Sequence, residues 1–450
     1  MKAAPVKIGD KPTVKIESIS HQGEGVAKVE GYTVFVPFAA PEDVVTVEII
    51  SVQKDYGRGL IQEIVETGKR IDPKCQWFGQ CGGCNLQHLD YEEQLRIKTE
   101  TTKTSLERIG GVDPALVRDT LPTRSWNYRN KMQAPVAVYE GRPTAGLYRP
   151  RSNELVPVEE CAIQHGPNNQ LTRITAEVAR ECKLVPWDGL LRHIVTRHSE
   201  ATGQSLLVLV VAKLQFPGRE QFLRKLRQAL PTLETLVLNQ NPHPTNVIMG
   251  SKEEVIWGPG YIIDTLGDMK FKISARSFWQ VNNQGALKIY EQVKKYAALQ
   301  GSEVVLDVYS GTGSIGLYIA KHAQKVIGIE NNKSAVNDAR FNAQLNAIDN
   351  AEFHLGYAER TLPKLANEGL RADVVILDPP RKGCAPMLLD AVAQADPQRI
   401  VYVSCNPATL ARDLKMLKEL GYETREAQPV DMFPHTSHVE TVVLMSRANK

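Results

Sequence analysis

From about residue 270 to residue 450 the chain alternates continuously apolar runs with segments of helical period, and no other feature constrains its fold as strongly. EVVLDVYS, KVIGIE, ADVVILDPP and RIVYVSCNP read as strands, and GALKIYEQVKKYAAL, SIGLYIAKHA, SAVNDARFNAQLN and TLARDLKMLKELG read as helices. A strand that is apolar on both faces must be covered on both, so this alternation predicts βαβ units around a buried parallel sheet. Residues 11–66 have a different grain. VKIESI, YTVFVPFA, DVVTVEIISV and RGLIQEIVE are short Val-, Ile- and Thr-rich runs parted by turn residues, which predicts a small closed β-barrel. Between the two, Tyr91 to Ile109 reads as a helix stopped by Gly110 and Gly111. Residues 124–265 mix strand-like TAGLYRP and SLLVLVVAKL with helix-like REQFLRKLRQAL. A length of 450 residues accommodates three domains.

Composition removes several classes. With 42% apolar and 23% charged residues the chain is neither disordered nor fibrous. The longest apolar run, Leu206 to Ala212, has seven residues, against about 20 for a membrane span. MKAAPVKIGDKP lacks the apolar centre of a secretory signal, so a cytoplasmic location is expected. Seven unevenly spaced Cys argue for metal or thiolate chemistry over a disulfide framework. A net charge of +3 does not by itself imply nucleic acid. Locally, however, Arg124, Arg129, Lys131, Arg142, Arg149 and Arg151 stand against Glu140 alone, interleaved with Trp126, Tyr128, Tyr139 and Tyr148. Cations suit phosphate and aromatics stack on exposed bases; a solvated charged face over core aromatics is the competing reading. Residues 1–70 carry nine Lys/Arg and ten Asp/Glu, so the barrel would bind nucleic acid by stacking and shape.

Four motifs carry chemistry. Asp307-Val-Tyr309-Ser-Gly311-Thr-Gly313-Ser-Ile-Gly316 leaves a strand and opens a helix, and Glu330 ends the next strand, where a carboxylate can accept the ribose hydroxyls of an adenosine. Dinucleotides and S-adenosylmethionine both fit that pattern. Asp307 before the glycines, and Asp378-Pro379-Pro380 at the carboxyl end of ADVVIL, tip it towards the methyl donor, although Asp378 alone could be a helix cap. Ser404-Cys405-Asn406-Pro407 puts a thiol at the mouth of the sheet, where a thiolate can add to an electron-poor ring; a buried, inert Cys is the alternative. Glu440 leads into the last strand as a general base or a solvated carboxylate. Cys75-x5-Cys81-Gly-Gly-Cys84, with Cys161 as fourth ligand, is a four-thiolate set that suits zinc or iron–sulfur. Cys182 and Cys384 read as structural.

Together DVYSGTGSIGL, LDPPRKG, VSCNP and HVETVVLM, with SARSFWQVN before them, resemble the RNA uracil-5-methyltransferase family over nearly the whole chain, and most of all its bacterial 23S ribosomal RNA members. The resemblance implies an α/β protein in three parts. Residues 5–66 would be a TRAM domain, an OB-like RNA-binding β-barrel. Residues 70–265 would be a central α+β domain holding the Cys cluster, with helix 91–110 able to pack on the catalytic domain. Residues 266–450 would be a Rossmann-like S-adenosylmethionine methyltransferase domain. It further implies that Cys405 attacks carbon 6 of uracil, that Glu440 removes the proton from carbon 5, and that Gln280, Tyr309, Glu330 and Asp378 contact the cofactor. Cys75, Cys81, Cys84 and Cys161 would hold a [4Fe–4S] cluster, with zinc as the alternative. Asp378-Pro-Pro-Arg lacks the Cys of related cytosine enzymes, which favours uracil. Arg381 and Lys382 would face a target base flipped out or presented from a loop. The expected partner is RNA, 23S ribosomal RNA first and transfer RNA second, with no DNA, no membrane and a monomeric enzyme. A dinucleotide-dependent oxidoreductase is the rival of a different class.

Overall fold

The computed structural model describes residues 4–184, 190–243 and 247–448; residues 185–189 and 244–246 of the central span and 449–450 of the last lie outside the described residues. Six strands form the first sheet, in the order Thr13–Lys15, Val44–Val52, Tyr56–Glu66, Tyr32–Pro37, Glu24–Val29 and Ser18–Ile19. The two outermost strands belong to one bent segment. The Ile16 N–H donates to Asp43 O and the Glu17 N–H to Val26 O, both at 2.8 Å, so the sheet curls back on itself. Val45, Val47 and Ile49 alternate inward with period two and meet Ile16, Val34 and Val36 inside.

The central sheet runs Lys252–Trp257, Thr235–Gln240, Ser205–Val211, Leu191–His198, Lys131–Tyr139 and Arg142–Ala145. Ser205–Val211 is buried throughout. Leu207, Leu209 and Val211 pack with Phe222 and Leu226 of the helix Arg219–Ala229, while Leu206, Val208 and Val210 join the core beneath the catalytic sheet. Helices thus cover one face and the catalytic domain the other, which is why the strand shows no polar alternation.

The third sheet has the order Ala351–Leu355, Lys325–Glu330, Val304–Val308, Val374–Leu377, Arg399–Ser404, Glu440–Arg447 and Tyr422–Val430. Its first five strands are parallel and Glu440–Arg447 is antiparallel to its neighbours. Strand order reverses between Val304–Val308 and Val374–Leu377, which opens a crevice at their carboxyl ends.

The helix Tyr91–Gly110 starts at Asp90, whose side chain accepts from the Glu93 N–H, and stops at Gly111 with φ +62°. It packs on the helix Pro407–Glu419, and a Cβ at Gly110 would stand 3.0 Å from Ala411 O. Leu106, Val112 and Val117 enter the catalytic core, and the Leu121 N–H donates to Pro429 O at 2.9 Å. The buried Lys98 ammonium meets Asp431 at 2.5 Å and Phe433 O at 3.1 Å. The helix 91–110 of the 70–265 span is therefore built into the catalytic layer. No helix of the described residues is long and apolar enough to cross a membrane.

Candidate active site

Three residues with left-handed backbone wind the loop after Val304–Val308 into the helix Ser314–Ala320: Tyr309 (φ +66°), Gly311 (+54°) and Gly313 (+78°). A side chain other than glycine pays strain there, about 1–2 kcal/mol, so the tyrosine marks a site where geometry is imposed. A Cβ at Gly316 would lie 2.8 Å from Asp307 Oδ2, which accepts the Gly316 N–H at 3.0 Å and so pins the helix start to the strand end. Burial pushes the Asp307 carboxyl up to about 7, with Asp378 and Glu330 adding in the same direction.

Three of the four expected cofactor residues, Tyr309, Glu330 and Asp378, gather around this loop. Glu330 accepts the Gly311 N–H at 3.1 Å on one oxygen and the Asn332 N–H at 2.7 Å on the other. A carboxylate takes about four donors, so capacity remains for a diol. The Tyr309 hydroxyl donates to Glu359 at 3.3 Å. Asp378 ends Val374–Leu377; it is partly exposed, yet the protein atoms around its carboxyl push it up to about 7. Gln280 lies just before the helix Asn283–Ala297, where its carbonyl accepts from Asn130 Nδ2 at 2.9 Å. Room for a ligand exists as well. A Cβ added at Gly311 would meet no atom within 4 Å, and among the described residues the buried Asp307 Oδ1 and Ser310 Oγ have no protein partner.

Cys405 and Glu440 are brought together by strand register. Ser404 pairs with Thr441 as the last rung between two antiparallel strands, so the next positions set Cys405 opposite Glu440. Glu440 is only 7% exposed, and its carboxyl is pushed up to about 8 by burial first and by Asp378 second, with Arg381 acting against both. Burial and then Glu440 push the Cys405 thiol up to about 11, and again Arg381 opposes. Arg381 is held in place from the nucleophile side. Its carbonyl accepts from Asn406 Nδ2 at 3.3 Å and from the Thr409 hydroxyl at 3.1 Å, and Asn406 also caps the helix Pro407–Glu419. A thiol, two carboxyls and a guanidinium thus share one mouth of the crevice.

Cys384 is buried with its sulfur 3.5 Å from the Tyr402 hydroxyl, and its N–H donates to Asp413 at 2.8 Å, a structural position. Cys182 packs against the central core. Cys75, Cys81, Cys84 and Cys161 are free thiols facing one cavity of about 740 Å³, shared with Arg129, Arg381 and His438. The Gly83 N–H points at Cys81 Sγ at 3.4 Å, and the N–H groups of Ile163 and Gln164 point at Cys161. Burial pushes Cys81 up to about 11 and Cys84 to about 12, and the neighbouring thiols add to it. Among the described residues, however, no group of three or more His, Cys, Asp or Glu is placed to hold a metal ion, so the expected ligand set does not stand as a single-ion site.

The basic stretch needs correction. Arg124 pairs with Glu200 at 2.9 Å, Arg149 with Glu154 at 2.7 Å and Arg151 with Glu24 at 3.5 Å. Tyr128 is buried with its hydroxyl on Pro434 O, and Trp126 stacks on His435 at 3.8 Å. Three of its six cations are thus paired with acids, two of them distant in sequence, and two of its aromatics serve the fold. Missing from the sequence reading were His438, which lines the cavity two residues before Glu440, and the buried Arg197; the first could have been found from the spacing H-x-E.

Comparison with known proteins agrees with this geometry. Residues 224–448 match the family described as tRNA (Uracil-5-)-methyltransferase, and residues 5–61 match the TRAM domain. The chain is 44% identical over 453 residues to an RNA methyltransferase of Halalkalibacterium halodurans, covering 99% of each. It is 44% identical over 448 residues to one of Caldanaerobacter subterraneus subsp. tengcongensis, covering 98% of this chain and 99% of the other. Among solved structures it is similar to the Pyrococcus abyssi tRNA (uracil-54, C5)-methyltransferase in complex with S-adenosyl-L-homocysteine, at 28% identity and a TM-score of 0.76, covering 96% of this chain and 99% of that one.

Proposed function

The chain belongs to the tRNA (uracil-5-)-methyltransferase family, and from that premise we propose that it methylates carbon 5 of a uridine in 23S ribosomal RNA through a covalent bond between Cys405 and the base. It is an S-adenosylmethionine-dependent RNA methyltransferase with a TRAM domain, which removes the oxidoreductase rival. The observation that carries the covalent route is the register that sets Cys405 opposite Glu440, beside Asp378 and Arg381.

Carbon 5 of uracil is a weak nucleophile. Bond formation between Cys405 Sγ and carbon 6 pushes an electron pair towards carbon 5 and the carbon 4 carbonyl. Arg381 favours the thiolate and the enolate oxygen by its charge. When bound, S-adenosylmethionine supplies the methyl group that carbon 5 takes. Glu440 then accepts the proton of carbon 5, the ring double bond re-forms, the carbon–sulfur bond breaks and Cys405 leaves as thiolate. Glu330 would hold the ribose hydroxyls, and Tyr309, Asp378 and Gln280 the rest of the cofactor; the open space at Gly311 and the spare acceptors of Glu330 support this placement.

The resemblance of motif order supports 23S ribosomal RNA; the likeness to the Pyrococcus abyssi enzyme supports transfer RNA as the second reading. We place the enzyme in the cytoplasm as a monomer. Mass spectrometry of nuclease digests from a strain lacking the protein decides the substrate. Loss of 5-methyluridine from 23S ribosomal RNA alone is expected, and loss from transfer RNA alone contradicts the assignment.

We further place a [4Fe–4S] cluster on Cys75, Cys81, Cys84 and Cys161, where it would tie the Cys loop to the segment before the helix Gly166–Glu181. Four thiols on one cavity, with N–H groups aimed at two of them, support the donor set. Protein purified without oxygen is expected to be brown, with about four irons and four sulfides per chain, and Cys81→Ser to bleach it. A colourless protein with one zinc contradicts the cluster.

A further inference from the structure

Lys131 and Arg197 are a directly opposed pair in the central sheet, on the neighbouring antiparallel strands Lys131–Tyr139 and Leu191–His198. Opposed residues share a face, and like charges there repel. That face is the one turned to the catalytic domain, because Leu206, opposite Arg197 on its other side, lies in the core beneath the catalytic sheet. Arg129 and Gln133, two positions before and after Lys131, both line the large cavity that also holds Arg381 and His438. Lys131 is partly accessible between them.

None of the three cations has a carboxylate partner among the described residues. Arg129 Nε donates to Lys131 O at 3.3 Å and Arg197 Nη2 to Ser277 O at 2.7 Å. Arg197 is 3% exposed, and its Nε and Nη1 find no protein acceptor. The acid nearest in charge to Arg197 is Asp264, but its oxygens are taken by Ser199, the Thr265 N–H, Trp279 and Asn283. Burial first, then Arg197 and Arg129, push the Lys131 ammonium down to about 7, the direction expected of a cation without a counter-ion. Of the six basic residues from Arg124 to Arg151, three are paired with acids, Arg151 among them although it too lines the cavity, and Arg142 is exposed at a strand end; Arg129 lines the cavity without an acid, and Lys131 stands between Arg129 and Gln133 on the same face of the strand.

We propose that Arg129 and Lys131, backed by the buried Arg197, form a subsite for a backbone phosphodiester of the RNA substrate close to the target nucleotide. A phosphate against Lys131 supplies the missing counter-charge, and Arg129 beside it lines the cavity that Arg381 also lines, Arg381 being the cation next to Cys405 and Glu440. The inference rests on the proposed RNA substrate and adds where the strand is gripped.

The test is the salt dependence of binding, which counts phosphate contacts whatever the sequence. The probe is a labelled 23S ribosomal RNA transcript, titrated with full-length protein across a range of salt. Lys131→Gln is expected to weaken binding about tenfold near 0.1 M salt and to make the slope of log affinity against log salt shallower by about one. Lys131→Arg keeps the charge and is expected to restore both to within about twofold. S-adenosylhomocysteine affinity, unchanged in both variants, reports that the fold is intact. Wild-type affinity and slope in Lys131→Gln overturn the subsite while the function stands. Failure of the wild-type protein to bind RNA at all overturns the function and the subsite together.

Discussion

Cys405→Ala is expected to lower methyl transfer by roughly 10⁴-fold or more while leaving S-adenosylhomocysteine affinity within about twofold of wild type. The size follows from the chemistry. Without a bond at carbon 6, carbon 5 never becomes nucleophilic, and no neighbouring group replaces the sulfur. The selectivity follows from the place. Cys405 sits beyond the strand Arg399–Ser404 beside Glu440 and Arg381, whereas the adenosine is assigned to the loop after Val304–Val308, two strands away, and to Glu330, three strands away. Single-turnover kinetics and calorimetry separate the two effects. Turnover within tenfold of wild type would mean that the base is methylated without a covalent bond to this thiol.

Glu440→Gln is expected to start the reaction and fail to finish it. On the proposed route attack by Cys405 precedes methyl transfer and proton removal follows it, so losing the base should accumulate an enzyme–RNA adduct that already carries the methyl group and survives denaturing electrophoresis. Glutamine keeps the size of the side chain and gives up a carboxyl that burial already disfavours in its charged form. The double change Cys405→Ala with Glu440→Gln should form no adduct. If Glu440→Gln is inactive and traps nothing, the carboxylate acts before the methyl group moves. The wild-type pH profile checks the same role. With Glu440 raised to about 8 and the Cys405 thiol to about 11, kcat/KM should climb with pH through about 8 as the base becomes ionised, and go on climbing towards about 11 as the thiolate forms. Stability runs the other way. A carboxyl raised from an ordinary 4.5 binds a proton more tightly when folded, so its contribution falls as pH rises from about 4.5 to about 8.

What could be read from the sequence were features carried by local pattern. The apolar strands of the catalytic sheet, the glycine loop and the caps of Tyr91–Gly110 declare themselves within a few residues. The thiol and the carboxylate were legible as candidates because each adjoins a strand end, though the register that sets them opposite each other was not. Long-range pairing hid the rest. Nothing near Tyr91–Gly110 says that its last turn lies against Ala411, or that Lys98 is neutralised by Asp431, 333 positions away. The basic count from Arg124 to Arg151 misled because Glu200 and Glu24, which quench two of its charges, come from other parts of the chain. Arg197 escaped notice because a single cation in a strand looks solvated until its neighbours bury it. Helices Gly166–Glu181, Ala358–Asn367 and Pro386–Gln394 went unread, the last two being short and broken or opened by proline.

The proposed bond between Cys405 and uracil can be tested directly. Wild-type enzyme is given S-adenosylmethionine labelled in its methyl group and the substrate RNA transcribed with 5-fluorouridine, whose fluorine cannot leave as a cation, and the trapped complex is digested and sequenced by mass spectrometry. One modified peptide is expected, with the labelled, methylated fluorouridine attached through Cys405. No adduct, or an adduct on any other residue, would contradict it.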